Sequence, residues 1–249
     1  MIWQLAIFSR RALRFSAYAP IVLSLGGPAI AATVTGRVEL TFSHDPNVRK
    51  HQDYSGVVVW LEPASGQLTV PVAARHTEML QKSKTFTPHV LAITVGTTVD
   101  FPNRDFIFHN AFSNYNGETF DIGLYPPHTS KAIAFNRPGV VRVFCNIHPT
   151  MSAVIVVLKS PYYAVSGKTG TIRIEDVPPG SYRLHVFHER ATEQTLEDLS
   201  RAINVPAEGV DLPVISVSES GYLQLPHKNK FGNDYPPVAD SAGYVGTKP

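Results

Sequence analysis

Apolar and polar residues alternate at Val34-Thr35-Gly36-Arg37-Val38-Glu39-Leu40, the period-2 pattern of a half-buried strand. A polar stretch from Ser43 to Ser55 reads as a long surface loop, and strand character resumes at Val57-Val58-Val59-Trp60-Leu61. Further on, Leu91 to Val95 and Thr98 to Phe101 predict two strands turning about Gly96. The aromatic segment Phe106-Ile107-Phe108-His109-Asn110-Ala111-Phe112 predicts a third. Ala132 to Phe135, Val140 to Phe144 and Ser152 to Leu158 add three more, with Pro138-Gly139 turning between the first two. Thr171 to Ile174 and Tyr182 to Phe187 make another pair around Val177-Pro178-Pro179-Gly180-Ser181. Only Ala191 to Ala202 carries helical spacing, so the pattern predicts an all-β protein with at most one short helix. The tail, 226–249, is rich in Pro, Gly, Asn, Asp and Lys and is expected to be extended or partly disordered.

The first 31 residues are of a different kind. Arg10, Arg11 and Arg14 precede an apolar stretch through Ile21, Val22, Leu23 and Leu25, which closes on Ala29-Ile30-Ala31 without an acidic residue. This is the pattern of an export signal cleaved after Ala31, too short and interrupted to span a bilayer. The expected location is periplasmic or otherwise exported, with no stable membrane insertion after cleavage. Ser9-Arg10-Arg11 keeps the twin-arginine route open beside the general one. Cleavage removes three of the 22 basic residues and none of the 20 acidic ones, so 19 face 20 and the formal charge is −1. The precursor pI of about 8.6 therefore gives no ground for a nucleic-acid partner.

Of the 249 residues, 43% are hydrophobic and one is a cysteine, Cys145. In an oxidising compartment a lone cysteine is half of an intermolecular disulfide, a buried inert thiol or a metal ligand. Its neighbours favour the last. Cys145, His148 and Met151 stand at C-x2-H-x2-M on a loop between two predicted strands, and His109 lies in a strand upstream. Two imidazoles, a thiolate and a weak axial thioether are the donor set of a copper site that changes valence with little rearrangement. The metal ligands expected are thus His109, Cys145, His148 and Met151, with one copper ion cycling between Cu(I) and Cu(II). Asn110 is placed to stiffen the ligand loop.

Other histidines are weaker candidates. His185 and His188 fall on a predicted strand where their spacing sends them to opposite faces. His89 follows Pro88 and reads as a packing or hydrogen-bonding residue, whereas His44, His51, His76, His128 and His227 lie in loops or the tail. No nucleophile paired with a base, no phosphate loop and no H-E-x2-H motif is present, so no enzymatic activity is expected.

At Phe101-Pro102-Asn103, His109-Asn110 and Val143 to Met151 the sequence resembles the cupredoxins, the blue-copper family of plastocyanin and amicyanin. Phe86-Thr87-Pro88-His89-Val90 and Cys145-Asn146-Ile147-His148 extend the resemblance to exported bacterial cupredoxin-like proteins labelled methylamine-utilisation-like. Pro149-Thr150 departs from them, where many have Asp-Trp. The resemblance implies a Greek-key β-sandwich over 65–160 and an electron exit at His148. The flanks, 32–64 and 161–225, are similar to the halves of a transthyretin-like, carboxypeptidase-regulatory-type sandwich, which implies that the cupredoxin unit is inserted in a second, smaller domain. The expected function is single-electron transfer between transient redox partners. The alternatives are copper delivery to an exported acceptor, or a non-catalytic binding module of the cell envelope.

Overall fold

The structure, a computed structural model, describes residues 31–66, 75–114, 117–223 and 227–235. Residues 1–30, nearly all of the expected export signal, lie outside these. Over the described residues the chain is all-β, with two short helices. Among the described residues no helix is long and apolar enough to cross a membrane.

The strands form four main sheets stacked face to face over three apolar layers. The first outer sheet centres on Ala32–Thr41, antiparallel to Thr171–Val177 and parallel to Val210–Asp211 and Ile215–Ser218. The second runs in the order Tyr163–Val165, Val58–Pro63, Gly180–Phe187 and Arg201–Val205, antiparallel throughout. The third runs Val90–Thr94, Ser152–Leu158, Gly139–Phe144, Phe112–Ser113 and Phe120–Asp121. The fourth, Ser130–Phe135, Thr97–Pro102 and His76–Glu78, closes the other end. A small hairpin, Leu80–Lys82 with Thr85–Thr87, forms a separate ladder that adds Phe86 to the core with Cys145.

Side-chain alternation explains the stack. In Ser152–Leu158, Ala153, Ile155 and Val157 enter the core shared with the fourth sheet, while Val154, Val156 and Leu158 face the second sheet. A strand covered on both faces has no polar position to offer, so its sequence is an unbroken apolar run. The same division appears at Val57, Val59 and Leu61, which enter the core under the first sheet, against Val58 and Trp60 on the opposite face. The first core draws on 32–61 and 162–217, and the core that holds Cys145 draws on 79–157. Val58, Val90, Val154, Val156, Leu158 and Phe187 form the third apolar layer, between the second and third sheets.

Three elements differ from expectation. The polar stretch 43–55 contains a helix, Pro46–His51, so there are two helices rather than at most one. Asp45 caps it by accepting a hydrogen bond from the Asn47 amide at 2.8 Å, with Pro46 at the first helical position. The second helix, Glu193–Leu199, is capped by Thr192 and runs straight into the Arg201–Val205 strand. The aromatic segment 106–112 is not a strand until Phe112. Phe106 and Phe108 are 86% and 50% exposed rather than packed. The Asn103 side chain reaches forward to donate to the Ile107 carbonyl at 2.9 Å, and its amide oxygen accepts from Asp105 N–H at 3.0 Å. Asx bonding of this kind offers the backbone an alternative to a ladder.

A buried charged cluster lies where the first and second sheets meet the third. Glu219, 5% exposed, sits 2.9 Å from His188 Nε2 and 3.1 Å from Arg190 Nη2, and accepts from Ser43 Oγ at 2.7 Å. Arg190 also pairs with Asp45 and Glu189. Burial opposes the charge on Glu219, but these donors outweigh it and bring its pKa from 4.5 down to about 2. A carboxylate with a depressed folded-state pKa stabilises the fold above its unfolded value. That contribution fades as pH falls from about 4.5 toward about 2, and its size is about 3 kcal/mol. Glu219→Gln is therefore expected to be less stable than wild type at pH 7 by about that amount, with the gap closing by pH 2 in denaturant titrations. A gap independent of pH would contradict this.

Candidate metal centre

Cys145 follows directly from the Gly139–Phe144 strand, and alternation through Val141 and Val143 turns it into the inner core, where it is 0% exposed. The antiparallel partner strand begins at Ser152, so the loop 145–151 must close in a few residues. It does so with its own backbone: Cys145 N–H donates to the Met151 carbonyl at 3.2 Å, and Met151 N–H to the His148 carbonyl at 3.0 Å. These bonds fold His148 back over Cys145, with its Nδ1 3.8 Å from Sγ.

His109 arrives from a separate segment. Its backbone exchanges hydrogen bonds with Tyr125 at 3.2 and 2.9 Å, an isolated bridge that fixes it beside the ligand loop. Its Nδ1 lies 4.0 Å from Cys145 Sγ, and its ring meets that of His148 edge-on with centroids 4.9 Å apart. His109, Cys145 and His148 donor atoms all lie within 4.8 Å of one another. Met151 is fully buried in the same core as Cys145.

Asp105 orients His109. Its carboxylate takes the His109 Nε2 edge at 2.7 Å and is itself held by Ser83 N–H at 2.6 Å and Lys84 N–H at 2.9 Å. With Nε2 thus engaged by the carboxylate, Nδ1 is the nitrogen that faces Cys145. The ligand pattern in the sequence does not point to Asp105, although the Asn103-Arg104-Asp105 turn four residues before His109 carries the signal. Asn110 takes the role expected of it: its Oδ1 accepts the Asn146 N–H at 3.0 Å, and its Nδ2 donates to Asp121 at 2.7 Å.

The electrostatics suit a thiolate. Burial pushes the Cys145 thiol up, yet the His109 hydrogen bond and the backbone amides of Ile147, Asn110 and His148 more than reverse this, and its pKa is lowered. Burial lowers His109 as well, but Cys145 and Asp105 raise it overall. His148 is lowered by burial and by the neighbouring His109.

The other histidines are engaged elsewhere. His89 bridges the Ser152 carbonyl at 3.0 Å and Glu189 at 2.8 Å, in the hydrogen-bonding role expected of it. His185 stacks on Trp60 at 5.0 Å, and His188 is committed to Glu219.

The donor set, one thiolate and two imidazoles, fits a thiophilic ion. With metal–sulfur and metal–nitrogen bonds of about 2.3 and 2.05 Å in a trigonal plane, sulfur and nitrogen lie about 3.8 Å apart. The separations here are 3.8 and 4.0 Å.

No protein-family model and no curated protein matches the chain in sequence. Among solved structures it is similar to a purple cupredoxin from Nitrosopumilus maritimus, at 24% identity over 33% of this chain and 99% of that one, with a TM-score of 0.30. A copper-containing nitrite reductase from Thermus scotoductus is 24% identical over 49% of this chain and 28% of its own length, with a TM-score of 0.33. A Cu(I) amicyanin variant is 19% identical over 33% of this chain and 82% of that one, with a TM-score of 0.32.

Proposed function

We propose that this protein binds one copper ion through His109, Cys145 and His148, with Met151 as a weak axial donor, and carries single electrons between redox partners after export. The observation that carries the reading is the pair of imidazole Nδ1 atoms, at 4.0 and 3.8 Å, turned onto one buried thiol. Copper bound there would supply a one-electron couple. The chain's own part is to hold its donors still. The loop is closed on its backbone, His109 is fixed by Asp105, and Asn110 ties the loop to the neighbouring strand, so a change of valence meets little rearrangement. The same proposal takes 65–160 as a cupredoxin unit inserted in a second, transthyretin-like sandwich, supported by one core from 32–61 with 162–217 and another from 79–157.

Copper reconstitution tests the function. A deeply coloured thiolate-to-copper band and a reversible one-electron wave are expected, and a colourless product would sink the reading. Copper that passes readily to an exported acceptor would favour delivery instead. Asp105→Ala is expected to weaken copper binding about 10- to 100-fold in chelator competition while leaving the coloured band in place at saturation.

A further inference from the structure

The C-terminal segment, expected to be extended or disordered, is folded onto the ligand loop over 227–235. His227 stacks on Phe144 with ring centroids 4.1 Å apart, and its Nε2 lies 2.7 Å from the Pro149 carbonyl oxygen. Tyr235 donates its hydroxyl to the Cys145 carbonyl at 2.8 Å. Between them the Lys230 N–H donates to Asn146 Oδ1 at 3.0 Å. Asn229 holds the segment's own turn by accepting from the Phe231 and Asn233 amides.

These contacts complete a circuit. The Lys230 ammonium pairs with Asp121 at 2.7 Å, Asp121 accepts from Asn110, Asn110 accepts from Asn146 N–H, and Asn146 accepts from Lys230 N–H. The loop's inward groups are satisfied by its own backbone and by Asn110. Its Cys145 and Pro149 carbonyls and the Asn146 amide oxygen are met from the tail. Without that segment these acceptors would turn to water, and opening the loop would break fewer bonds.

We propose that residues 227–235 form a strap that sets the Cys145–Met151 loop in its ligating shape before any metal arrives, with Tyr235 and His227 as positioning residues acting through the Cys145 and Pro149 carbonyls. Donors fixed in advance cost less to order on binding. The strap therefore belongs to the centre as an outer layer of support, although it lies more than 70 residues from the loop in sequence. The inference rests on the copper reading for its purpose, and its first test needs no copper.

Cys145 is the only cysteine, so alkylation of the metal-free, full-length protein reports opening of this loop alone. Tyr235→Phe keeps the ring and removes one hydrogen bond. It is expected to label about fivefold faster than wild type, and the Tyr235→Phe/His227→Ala double variant about 25-fold faster or more. Unchanged far-ultraviolet circular dichroism and an unchanged Glu219 acid limb would place the opening at the loop. In the copper-loaded protein Tyr235→Phe is expected to shift the reduction potential, which looser packing elsewhere would not do. A double variant labelled at the wild-type rate, or a Tyr235→Phe potential identical to wild type, overturns the positioning role. Faster labelling in a protein that takes up no copper would overturn the copper reading and leave the strap as the cover of a buried thiol.

Discussion

Gly170→Ala is expected to lower stability by more than about 3 kcal/mol, the largest effect of any added methyl group in the flanking sandwich. Gly170 ends the tight turn from Gly167 and begins the edge strand Thr171–Val177, with φ at +78°. A side chain pays roughly 1–2 kcal/mol merely to adopt that left-handed conformation. Space adds a second cost. A Cβ at 170 would sit 2.1 Å from the Val38 carbonyl oxygen, and the backbones cannot simply separate, because Val38 N–H donates to the Gly170 carbonyl at 2.9 Å. Moving them apart would drag Val38, fully buried in the first core, out of register with Ile215 on its parallel partner strand. Two other glycines separate these costs. Gly96 has φ at +86° and nothing within 4 Å of where a Cβ would stand, so Gly96→Ala should lose about 1 kcal/mol. Gly167 has neither a positive φ nor a neighbour, so Gly167→Ala should be neutral or gain up to about 1 kcal/mol. Denaturant midpoints of the three variants provide the measurement, and a Gly170→Ala variant no worse than Gly96→Ala would contradict the argument.

What could be read from sequence follows from which interactions are local. Ser152–Leu158 was legible to the residue, because burial on both faces writes an apolar run bounded by polar positions. Cys145 and His148 lie close together, as one short loop carries them. The sequence carries the chemistry of His109 but not its setting. An aromatic run suggested a strand, whereas Asn103 side-chain bonds turn the chain before Phe112. Asp45-Pro46 was a local cap signal hidden in a polar stretch. Asp105 and the strap were of another kind: neither Asp105 to His109 nor Tyr235 to Cys145 follows from periodicity. The Gly, Asn and Lys content of 227–235 describes a segment without a core of its own, and its contacts are with the loop it covers. Likewise, Glu219 looks like an ordinary acidic residue beside a turn until His188, Arg190 and Ser43 close on it from two other segments.

On the proposed copper reading, added copper should raise the melting temperature of this protein, and Cys145→Ser is expected to erase that rise. A ligand that binds only the folded chain and is present at about 1,000 times its dissociation constant adds about 4 kcal/mol. In a protein of this size that corresponds to a rise of about 8–16 °C in Tm. The layer of Val58, Val90, Val154, Val156, Leu158 and Phe187 packs the sheet that carries Cys145 against the second sheet, so the rise should appear in the main transition. Serine cannot take the place of the thiol. Its hydroxyl is not ionised at neutral pH, it is a hard donor where the reduced ion prefers a soft one, and it leaves two imidazoles without the anionic ligand between them. It also puts a hydroxyl into a fully buried position in an apolar core, so the metal-free variant should start lower than wild type by about 1–3 kcal/mol. Each protein must therefore be compared with its own metal-free form by calorimetry. Met151→Leu provides the contrast. Leucine keeps the buried apolar volume and removes only the weak axial donor, so it should retain most of the rise and the coloured band while changing the reduction potential. An equal rise in Cys145→Ser and wild type would place copper elsewhere on the chain and remove the thiol from the site.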